Sequence, residues 1–173
     1  MRIVVGIYTR APLSELKRFV DKPAMLRRLD PRVALADGRA LDLGRRWEEL
    51  GCLLDGGISP PQSGPTVGDT VITSSDDVVW SLVEPERVKA FAEELGRMSR
   101  ESFYGLYRVD DDETADAAPG ERTAQVIDQV AYLWQKLVLL RKHYAEAARR
   151  GEAMLVRIGE RPWQEEESPD SMR

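Results

Sequence analysis

Any histidine-dependent chemistry in this chain of 173 residues must use His143, because the sequence contains no second histidine. On a helical projection His143 lies about 100° from Tyr144, at the edge of an apolar stripe. This position is typical of a histidine at the margin of a core rather than of a general base. A zinc site takes roughly three or four Cys, His or acidic ligands, so a single histidine and a single cysteine predict no zinc site.

Cys52 is a candidate nucleophile if His143 lies beside it, because a histidine base activates a thiol. The sequence leaves that contact open. Cys52 projects about 180° from the apolar face of its predicted helix, and no oxyanion-hole motif adjoins it. We interpret it as a packing thiol, and a lone cysteine forms no internal disulfide.

An acidic segment has the spacing of a calcium-binding loop, in which oxygen ligands alternate along the loop and a carboxylate closes it. The matching residues are Asp110, Asp112, Thr114, Asp116 and Glu121. The position that needs glycine for a sharp turn is Ala115 here. We therefore interpret the segment as a solvated acidic loop and predict no calcium site.

Carboxylates supply the remaining acid–base candidates. Asp42, Asp76 and Asp77 are predicted near the ends of strands and helices, where side chains from neighbouring elements can converge. The Asp76-Asp77 pair is also typical of a polar turn between two strands. Both interpretations remain open from the sequence.

The tryptophans could form an aromatic cage around a ligand. Trp47, Trp80 and Trp134 fall on the apolar faces of predicted elements, and we predict that all three belong to the core. Trp163 falls in the C-terminal tail. If these three tryptophans belong to the core, they do not form an aromatic cage around a ligand.

No common catalytic or cofactor-binding signature occurs in the sequence. It contains no phosphate loop ending in Gly-Lys-Ser/Thr, no dinucleotide-binding glycine fingerprint and no nucleophile-elbow serine. The sequence therefore predicts neither a catalytic residue nor a cofactor, and it favours a protein that is not an enzyme.

The charge of the chain bears on its partners. The net charge is −5 and the pI is near 5.1, which argues against nucleic acid and anionic membranes as partners. Residues 1–50 nevertheless contain 11 Lys/Arg and 7 Asp/Glu, so a basic head precedes an acidic body. No apolar stretch approaches the roughly 18 residues of a transmembrane helix, and the start is unlike a signal peptide, so we expect a cytoplasmic protein.

The elements that must position these side chains alternate between strands and helices. A strand is predicted over residues 2–9, where a continuous apolar run indicates burial on both faces. Two short helices follow it, a hairpin is predicted across residues 71–83, and a helix starts at Pro85. The longest helix is predicted over residues 121–150, and a last strand over residues 153–158.

A further helix is predicted over residues 42–55, with Asp42 as its N-cap. Its apolar residues recur at helical spacing and are Leu43, Trp47, Leu50 and Leu54. This spacing predicts that Trp47 is a core anchor. Residues 58–70 are rich in proline and glycine and are predicted to form a surface loop.

The predicted fold class is α/β, bordering on α+β. It consists of a small mixed β-sheet with helices packed on it, and a long C-terminal helix followed by a last strand. Residues 1–158 are predicted to form one domain, because a chain of this size supports a single core. Residues 159–173 form an acidic tail whose low apolar content predicts disorder.

Residues 41–56 read Leu-Asp-Leu-Gly-Arg-Arg-Trp-Glu-Glu-Leu-Gly-Cys-Leu-Leu-Asp-Gly. They resemble the most recognisable motif of the YfbM-like family of uncharacterised bacterial proteins, in which Leu-Asp precedes a charged stretch, a Trp and a Leu-Leu-x-Gly ending. A strand with Gly-Ile-Tyr, a helix start at Pro85-Glu86 and a long helix running through Tyr144 into a strand agree in the same order. The resemblance covers about residues 1–158 and implies a mixed sheet with helices packed on it.

Two differences from the family pattern limit what the resemblance implies about function. The family usually has His where this chain has Gly51, and an aromatic residue where it has Cys52, so chemistry that depends on that His is lost here. The Tyr-Pro motif before the last helix is absent from residues 110–120. The family carries no established activity, so the resemblance implies a fold and not a function.

Two hypotheses about function follow. The first is a non-enzymatic protein-interaction module, such as an immunity-type protein that binds and neutralises another protein. The acidic body, the helical faces and the exposed loops favour it. The second is an enzyme or a small-ligand-binding protein that uses carboxylates. The predicted partner is a protein under the first hypothesis.

Overall fold

One five-stranded sheet organises the fold. The computed structural model describes residues 4–57, 61–75, 77–107 and 119–160, with backbone alone over residues 119–125. The strands are β1 (Val4–Ala11), β2 (Ala40–Gly44), β3 (Thr70–Ser74), β4 (Val78–Val83) and β5 (Ala153–Glu160). The helices are α1 (Leu13–Asp21), a 3-10 helix (Pro23–Arg28), α2 (Pro31–Ala36), α3 (Trp47–Leu54), α4 (Pro85–Arg97), α5 (Arg100–Leu106) and α6 (Pro119–Arg150).

The strand order is β2-β1-β5-β4-β3, and all four pairings are antiparallel. The predicted fold class is confirmed, and the antiparallel sheet places the fold on the α+β side of the predicted border rather than giving a mixed sheet. The predicted first strand and last strand are both inner strands, and they pair with each other along β1 and β5. The predicted hairpin is the β3–β4 pair.

The longest helix, α6, packs with α3, α4 and α5 against one face of the sheet, here called the α6 face. Its buried residues recur at helical spacing, as the sequence predicted, and include Leu133, Leu137 and Tyr144. The Tyr144 ring meets the Phe91 ring edge to face, with centroids 5.9 Å apart. Together with Tyr8 of β1, these side chains form the main core.

The opposite face of the sheet, here called the cavity face, is covered by α1 and the 3-10 helix. Its smaller core includes Leu16 of α1, Leu26 of the 3-10 helix, and Trp80 and Leu155 of the sheet. Because successive strand residues point to opposite faces, Met154 and Val156 face α6 while Leu155 and Arg157 face the small helices. The α6 face is thus covered by four α-helices, including the longest one, whereas the cavity face is covered by one short α-helix and the 3-10 helix.

The first part of the predicted helix over residues 42–55 is a strand instead. Leu43 lies in β2, which pairs with β1, and α3 begins only at Trp47. Asp42 does not cap the helix, because its Oδ1 accepts a hydrogen bond from the backbone N–H of Gly44 at 2.7 Å. Gly44 has a φ of 65°, so a turn separates the strand from the helix. Pairing with the sheet therefore overrides the helical spacing.

The short helix α2 was not predicted, although its start carries a recognisable signal. The Asp30 side chain accepts a hydrogen bond from the backbone N–H of Arg32 at 2.9 Å, and Pro31 occupies the first helical turn. These contacts cap the helix and lower the pKa of the Asp30 carboxyl. A helix of only 6 residues gives too few apolar repeats for periodicity to reveal it.

Leu13, Leu16 and Val20 recur at helical spacing in the sequence and predict an apolar stripe on α1, but this stripe is only partly buried. Leu16 packs into the cavity-face core, but Leu13 is 58% exposed and Val20 is 49% exposed. Leu13 and Val20 are seven residues apart and therefore share one side of the helix. That side faces away from the sheet.

Two of the predicted core tryptophans are buried, since Trp47 is 8% exposed and Trp80 is 6% exposed. Trp134 is half-buried, with its ring centroid 5.5 Å from that of Phe103. Trp163 lies outside the described residues. The prediction that Trp47 anchors α3 to the core is confirmed.

Parts of several predicted segments lie outside the described residues, including the start of the first strand (2–3), the start of the surface loop (58–60), most of the acidic loop (110–118) and most of the tail (161–173). Strand β5 includes Gly159 and Glu160, so it runs two residues past the predicted domain boundary. Among the described residues, no helix combines the length and the apolar content that a membrane crossing requires.

Candidate functional site

A cavity of about 320 Å³ lies on the cavity face of the sheet, between the 3-10 helix and the β3–β4 hairpin. It is lined by Leu26, Arg27, Leu29, Pro31, Thr73, Ser75, Asp77, Val78, Trp80 and Arg157. Half of these residues are apolar and half carry polar or charged groups. Such a mixture is typical of a small-molecule site, where apolar walls give contact area and a few polar groups orient the ligand.

Arg157 is the most deeply buried charged residue of this lining. It lies on β5, the central strand of the sheet, opposite Ile7 of β1 on one side and opposite Trp80 of β4 on the other. Only 7% of the residue is exposed. The strand pairing therefore fixes the base of the side chain, and Arg157 places a buried positive charge in the wall of the cavity.

The guanidinium group of Arg157 is incompletely paired. Its Nη2 donates a hydrogen bond to the backbone oxygen of Glu160 at 2.8 Å, while its buried Nη1 has no hydrogen-bond partner. No ion pair among the described residues includes Arg157. Burial lowers the pKa of this guanidinium group, which still carries its positive charge at neutral pH.

The other polar groups of the cavity come from the hairpin and from the 3-10 helix. Thr73 and Ser75 contribute hydroxyl groups, and the Ser75 hydroxyl donates to the backbone oxygen of Val78 at 3.3 Å. Asp77 and Arg27 are exposed residues at the same cavity. These groups suit binding and orientation of a ligand, because they combine hydroxyl groups with charges of both signs.

The predicted carboxylates are not brought together. Asp77 lines the cavity, whereas Asp42 lies in the middle of β2, where its side chain accepts a hydrogen bond from the backbone N–H of Gly44. Asp76 lies outside the described residues. The structure therefore gives Asp42 and Asp77 separate positions instead of one acid–base site.

His143 has a structural partner. Its Nε2 lies 2.9 Å from the backbone oxygen of Tyr8, and since a carbonyl only accepts, the imidazole donates from this nitrogen. Burial, and next the charge of Arg10, lower the pKa of His143 to about 4, while the hydrogen bond to Tyr8 opposes this shift. His143 is therefore neutral at physiological pH and connects α6 to β1.

Cys52 lies half-buried on α3, whereas the hydrogen bond of His143 goes to the main chain of β1. The geometry thus offers no support for a Cys–His pair. Within the described ranges, no three or more His, Cys, Asp or Glu side chains are grouped closely enough to hold a metal ion. The predicted calcium-like loop lies mostly outside those ranges.

The segment after α3 contains buried contacts that a surface loop does not have. The hydroxyl of Tyr8 donates to the backbone oxygen of Thr66, and that of Tyr144 donates to the backbone oxygen of Pro65, each at 2.8 Å. Burial raises the pKa of both tyrosines. Thr66 is fully buried. The predicted surface loop over residues 58–70 is therefore tied into the core at this point.

This docked segment also explains why position 51 is glycine. A Cβ atom on Gly51 would lie 2.5 Å from Oγ1 of Thr66 and 2.7 Å from Cγ of Pro61. Distances this short require neighbouring atoms to move. The histidine that the YfbM-like pattern places at this position therefore has no room in the present packing.

Sequence reasoning missed Arg157, Tyr8 and Thr66. For Arg157 a signal existed, because it is the charged residue in the otherwise apolar run from Ala153 to Ile158. Its cavity could not be predicted, since the lining comes from five separate elements and the turns between them. The partners of Tyr8 and Thr66 are backbone atoms, which side-chain motifs do not reveal.

Comparison with known proteins places the chain in a family. Residues 4–157 match the family model described as a domain of unknown function, DUF1877. Among solved structures, the chain is similar to YfbM from Escherichia coli, a protein of unknown function, with 18% sequence identity and a TM-score of 0.63 over 89% of this chain and 99% of that chain. At this identity the likeness shows a shared fold. No curated protein matches the chain.

The resemblance of the chain to the YfbM-like family is confirmed by the family match, and the solved structure of YfbM shows the same fold. The family match extends from the first residues of β1 into the centre of β5, and so includes every strand of the sheet. The chain therefore belongs to the DUF1877 family, whose domain has no known function.

Proposed function

We propose that this domain is a non-enzymatic protein-interaction module, and that it contacts its partner through the layer formed by α1, the 3-10 helix and α2. The observation that carries the proposal is the exposure of Leu13 and Val20 on one side of α1. Val33 of α2 is also exposed, at 54%. Exposed apolar side chains that lie on one side of a helix, as Leu13 and Val20 do, are typical of protein contact sites.

The charge of this helical layer differs from that of the whole chain. Residues 12–39 contain seven Lys/Arg and four Asp/Glu, although the net charge of the chain is −5. The layer is therefore a basic region on an acidic protein. Complementary charge steers association and orients the two molecules, so the layer favours an acidic partner. A partner that is neutralised by binding, as by an immunity-type protein, fits this description.

The fate of the nominated catalytic residues supports a role without catalysis. His143 is neutral and hydrogen-bonded to the main chain, and Asp42 stabilises a turn. Cys52 lies on another helix without a base from His143. His143 and Asp42 thus stabilise the fold, whereas the exposed apolar residues of α1 have no such structural role.

A capture experiment with matched variants tests the proposal. The tagged protein is expressed at native level in its host, and its partners are identified by mass spectrometry after cross-linking. We expect one acidic protein to be captured reproducibly by the parent and lost by the double variant Leu13→Asp/Val20→Asp. The control is Leu139→Asp on α6, where Leu139 is 43% exposed. Equal capture by both variants would refute the proposed surface, and reproducible capture of nothing would refute the function.

A second candidate function, small-ligand binding, is favoured by the cavity at Arg157. In contrast to the sequence-based hypothesis, the buried charged group of this cavity is an arginine and not a carboxylate. The test is direct binding of small molecules to the purified protein. The ligand class follows from the lining.

A further inference from the structure

We infer that the Arg157 cavity binds a small organic anion, whose oxygen atoms pair with the guanidinium group and whose hydrocarbon part packs against Leu26, Leu29 and Trp80. This inference rests on the second candidate function, small-ligand binding, and is independent of the protein-interaction proposal. It assigns a site at the opposite side of the sheet from α6.

The incomplete pairing of Arg157 is the first argument. A guanidinium group carries five N–H donors, and burial removes the water that would otherwise accept from them. The structure provides Nη2 with the carbonyl oxygen of Glu160 and provides the buried Nη1 with no acceptor. An oxyanion in the cavity would supply the missing acceptor and the missing negative charge together.

The apolar part of the lining is the second argument, because it selects among anions. Leu26, Leu29, Pro31, Val78 and Trp80 line the same space as the guanidinium group. A volume of about 320 Å³ lies near the lower end of the range for ligand sites. An inorganic anion would leave these apolar walls without contacts, whereas a short-chain or ring-containing carboxylate would cover them.

The remaining charges favour a singly charged ligand. Arg27 adds a second positive charge at the exposed side of the cavity, and Asp77 adds a negative one. The formal charges of Arg157, Arg27 and Asp77 sum to +1, which a singly charged anion matches, and a multiply charged anion such as phosphate costs more to desolvate. A monocarboxylate therefore binds at Arg157 with a smaller desolvation cost.

The rigidity of the site supports recognition without rearrangement. Arg157 and Trp80 are directly opposite each other on the two neighbouring strands β5 and β4, which are paired over six residues. Side chains that are held by paired strands lose little conformational freedom when a ligand arrives. The cation and the aromatic wall are therefore already positioned.

Titration followed by NMR tests the inference, with hexanoate, its neutral analogue hexanamide and inorganic phosphate as probes. The readouts are the indole N–H signal of Trp80 and the guanidinium N–H signals of Arg157. We expect hexanoate to shift both signals in a saturable manner, with affinity at least about tenfold above those of hexanamide and phosphate. Equal binding of hexanoate and hexanamide, tighter binding of phosphate, or no saturable shift would each overturn the inference.

Variants locate the binding. Arg157→Met should abolish the preference for hexanoate over hexanamide, and Arg157→Lys should retain part of it. The control is Arg39→Met, which removes an arginine that pairs with Glu15 outside the cavity and should bind hexanoate as the parent does. Unchanged binding by Arg157→Met would refute the site. The Leu13→Asp/Val20→Asp variant should bind hexanoate normally, which separates this inference from the protein-interaction proposal.

Discussion

Two arginines, Arg10 and Arg157, are buried to the same extent on neighbouring strands, yet their surroundings differ. Each residue is 7% exposed. Nη1 of Arg10 lies 3.4 Å from Oε2 of Glu152 and 3.7 Å from Oε1 of Glu146, and its Nη2 donates to the backbone oxygen of Gly38 at 2.8 Å. Arg157 has the backbone oxygen of Glu160 as its acceptor. Each arginine also keeps one buried nitrogen without a hydrogen-bond partner, Nε in Arg10 and Nη1 in Arg157. Neither burial nor an unpaired nitrogen therefore distinguishes a structural arginine from one that can receive a ligand; the carboxylate partners of Arg10 do.

The difference follows from the elements on each side of the sheet. Arg10 faces the C-terminal end of α6 and the turn into β5, where Glu146 and Glu152 provide carboxylates. Arg157 faces the cavity beneath a 3-10 helix of six residues. A long helix can supply both packing and counter-charges, whereas a short one leaves volume uncovered. Packing on the α6 face thus contributes most of the stability, whereas the cavity face contains open space.

The largest effect expected from this comparison concerns the two buried tryptophans. Trp47→Ala should destabilise the protein by about 3–5 kcal/mol, because it leaves a void in the densely packed α6 face. Trp80→Ala should cost less, since its site already adjoins a cavity into which neighbours can move. Thermal and urea unfolding of both variants measure the difference. Trp47→Ala melting like the parent would show that α3 is misplaced against the core.

The two arginines themselves give the next effect. Arg10→Met should destabilise the protein by about 3 kcal/mol, because Glu152 is left largely buried without its counter-charge. Arg157→Met should change stability by less than about 1 kcal/mol or increase it, because an incompletely paired buried charge is replaced by an apolar side chain. Urea unfolding at neutral pH measures both. Equal losses would mean that Arg157 has a structural role like that of Arg10.

The smallest effect concerns the pH dependence that His143 adds to the α6 face. The folded pKa is about 4 and the ordinary value is 6.5, so the unfolded chain binds more protons between these values. The contribution of His143 to stability is present above pH 6.5 and is lost as the pH falls towards 4. Between pH 6.5 and 4.5 the loss should be about 2 kcal/mol.

The variant His143→Gln isolates this contribution, because glutamine can donate to the Tyr8 carbonyl but does not titrate. Urea unfolding of the parent and the variant across this pH range provides the measurement. Between pH 6.5 and 4.5 the free energy of unfolding of the variant should fall by about 2 kcal/mol less than that of the parent. Parallel curves would show that His143 titrates near its ordinary pKa in the folded protein.

The sequence predicted those elements whose apolar residues repeat over several turns or along a buried strand. Helix α6, helix α4 with its Pro85 start, and the β3–β4 hairpin were all predicted. The error at Leu43 has a specific cause. Its spacing to Trp47 fits a helix, but Leu43 is equally able to face the core from a strand, and only pairing with β1 decides between the two.

The candidate site was less predictable than the fold. His143 and Asp42 were candidates for acid–base chemistry because of their residue types, but both have structural roles. Arg157 was not among the candidates. In a chain of which 32% of the residues are charged, a single arginine is not distinctive in the sequence. Whether its guanidinium group lacks a partner depends on the three-dimensional packing. Sequence patterns specify burial well, but they do not show which buried charge remains unpaired.

The attachment of residues 65 and 66 to Tyr144 and Tyr8 has a consequence for the order of folding. These hydrogen bonds join positions that are 79 and 58 residues apart along the chain. The two donors belong to different elements, Tyr144 to α6 and Tyr8 to β1, which themselves are joined by the hydrogen bond of His143 to Tyr8. The segment meets both donors only where these elements are in contact, so it should dock after β1 and α6 have assembled. In the native state it should open ahead of global unfolding, so that its backbone amides exchange with solvent deuterium sooner than those of β5.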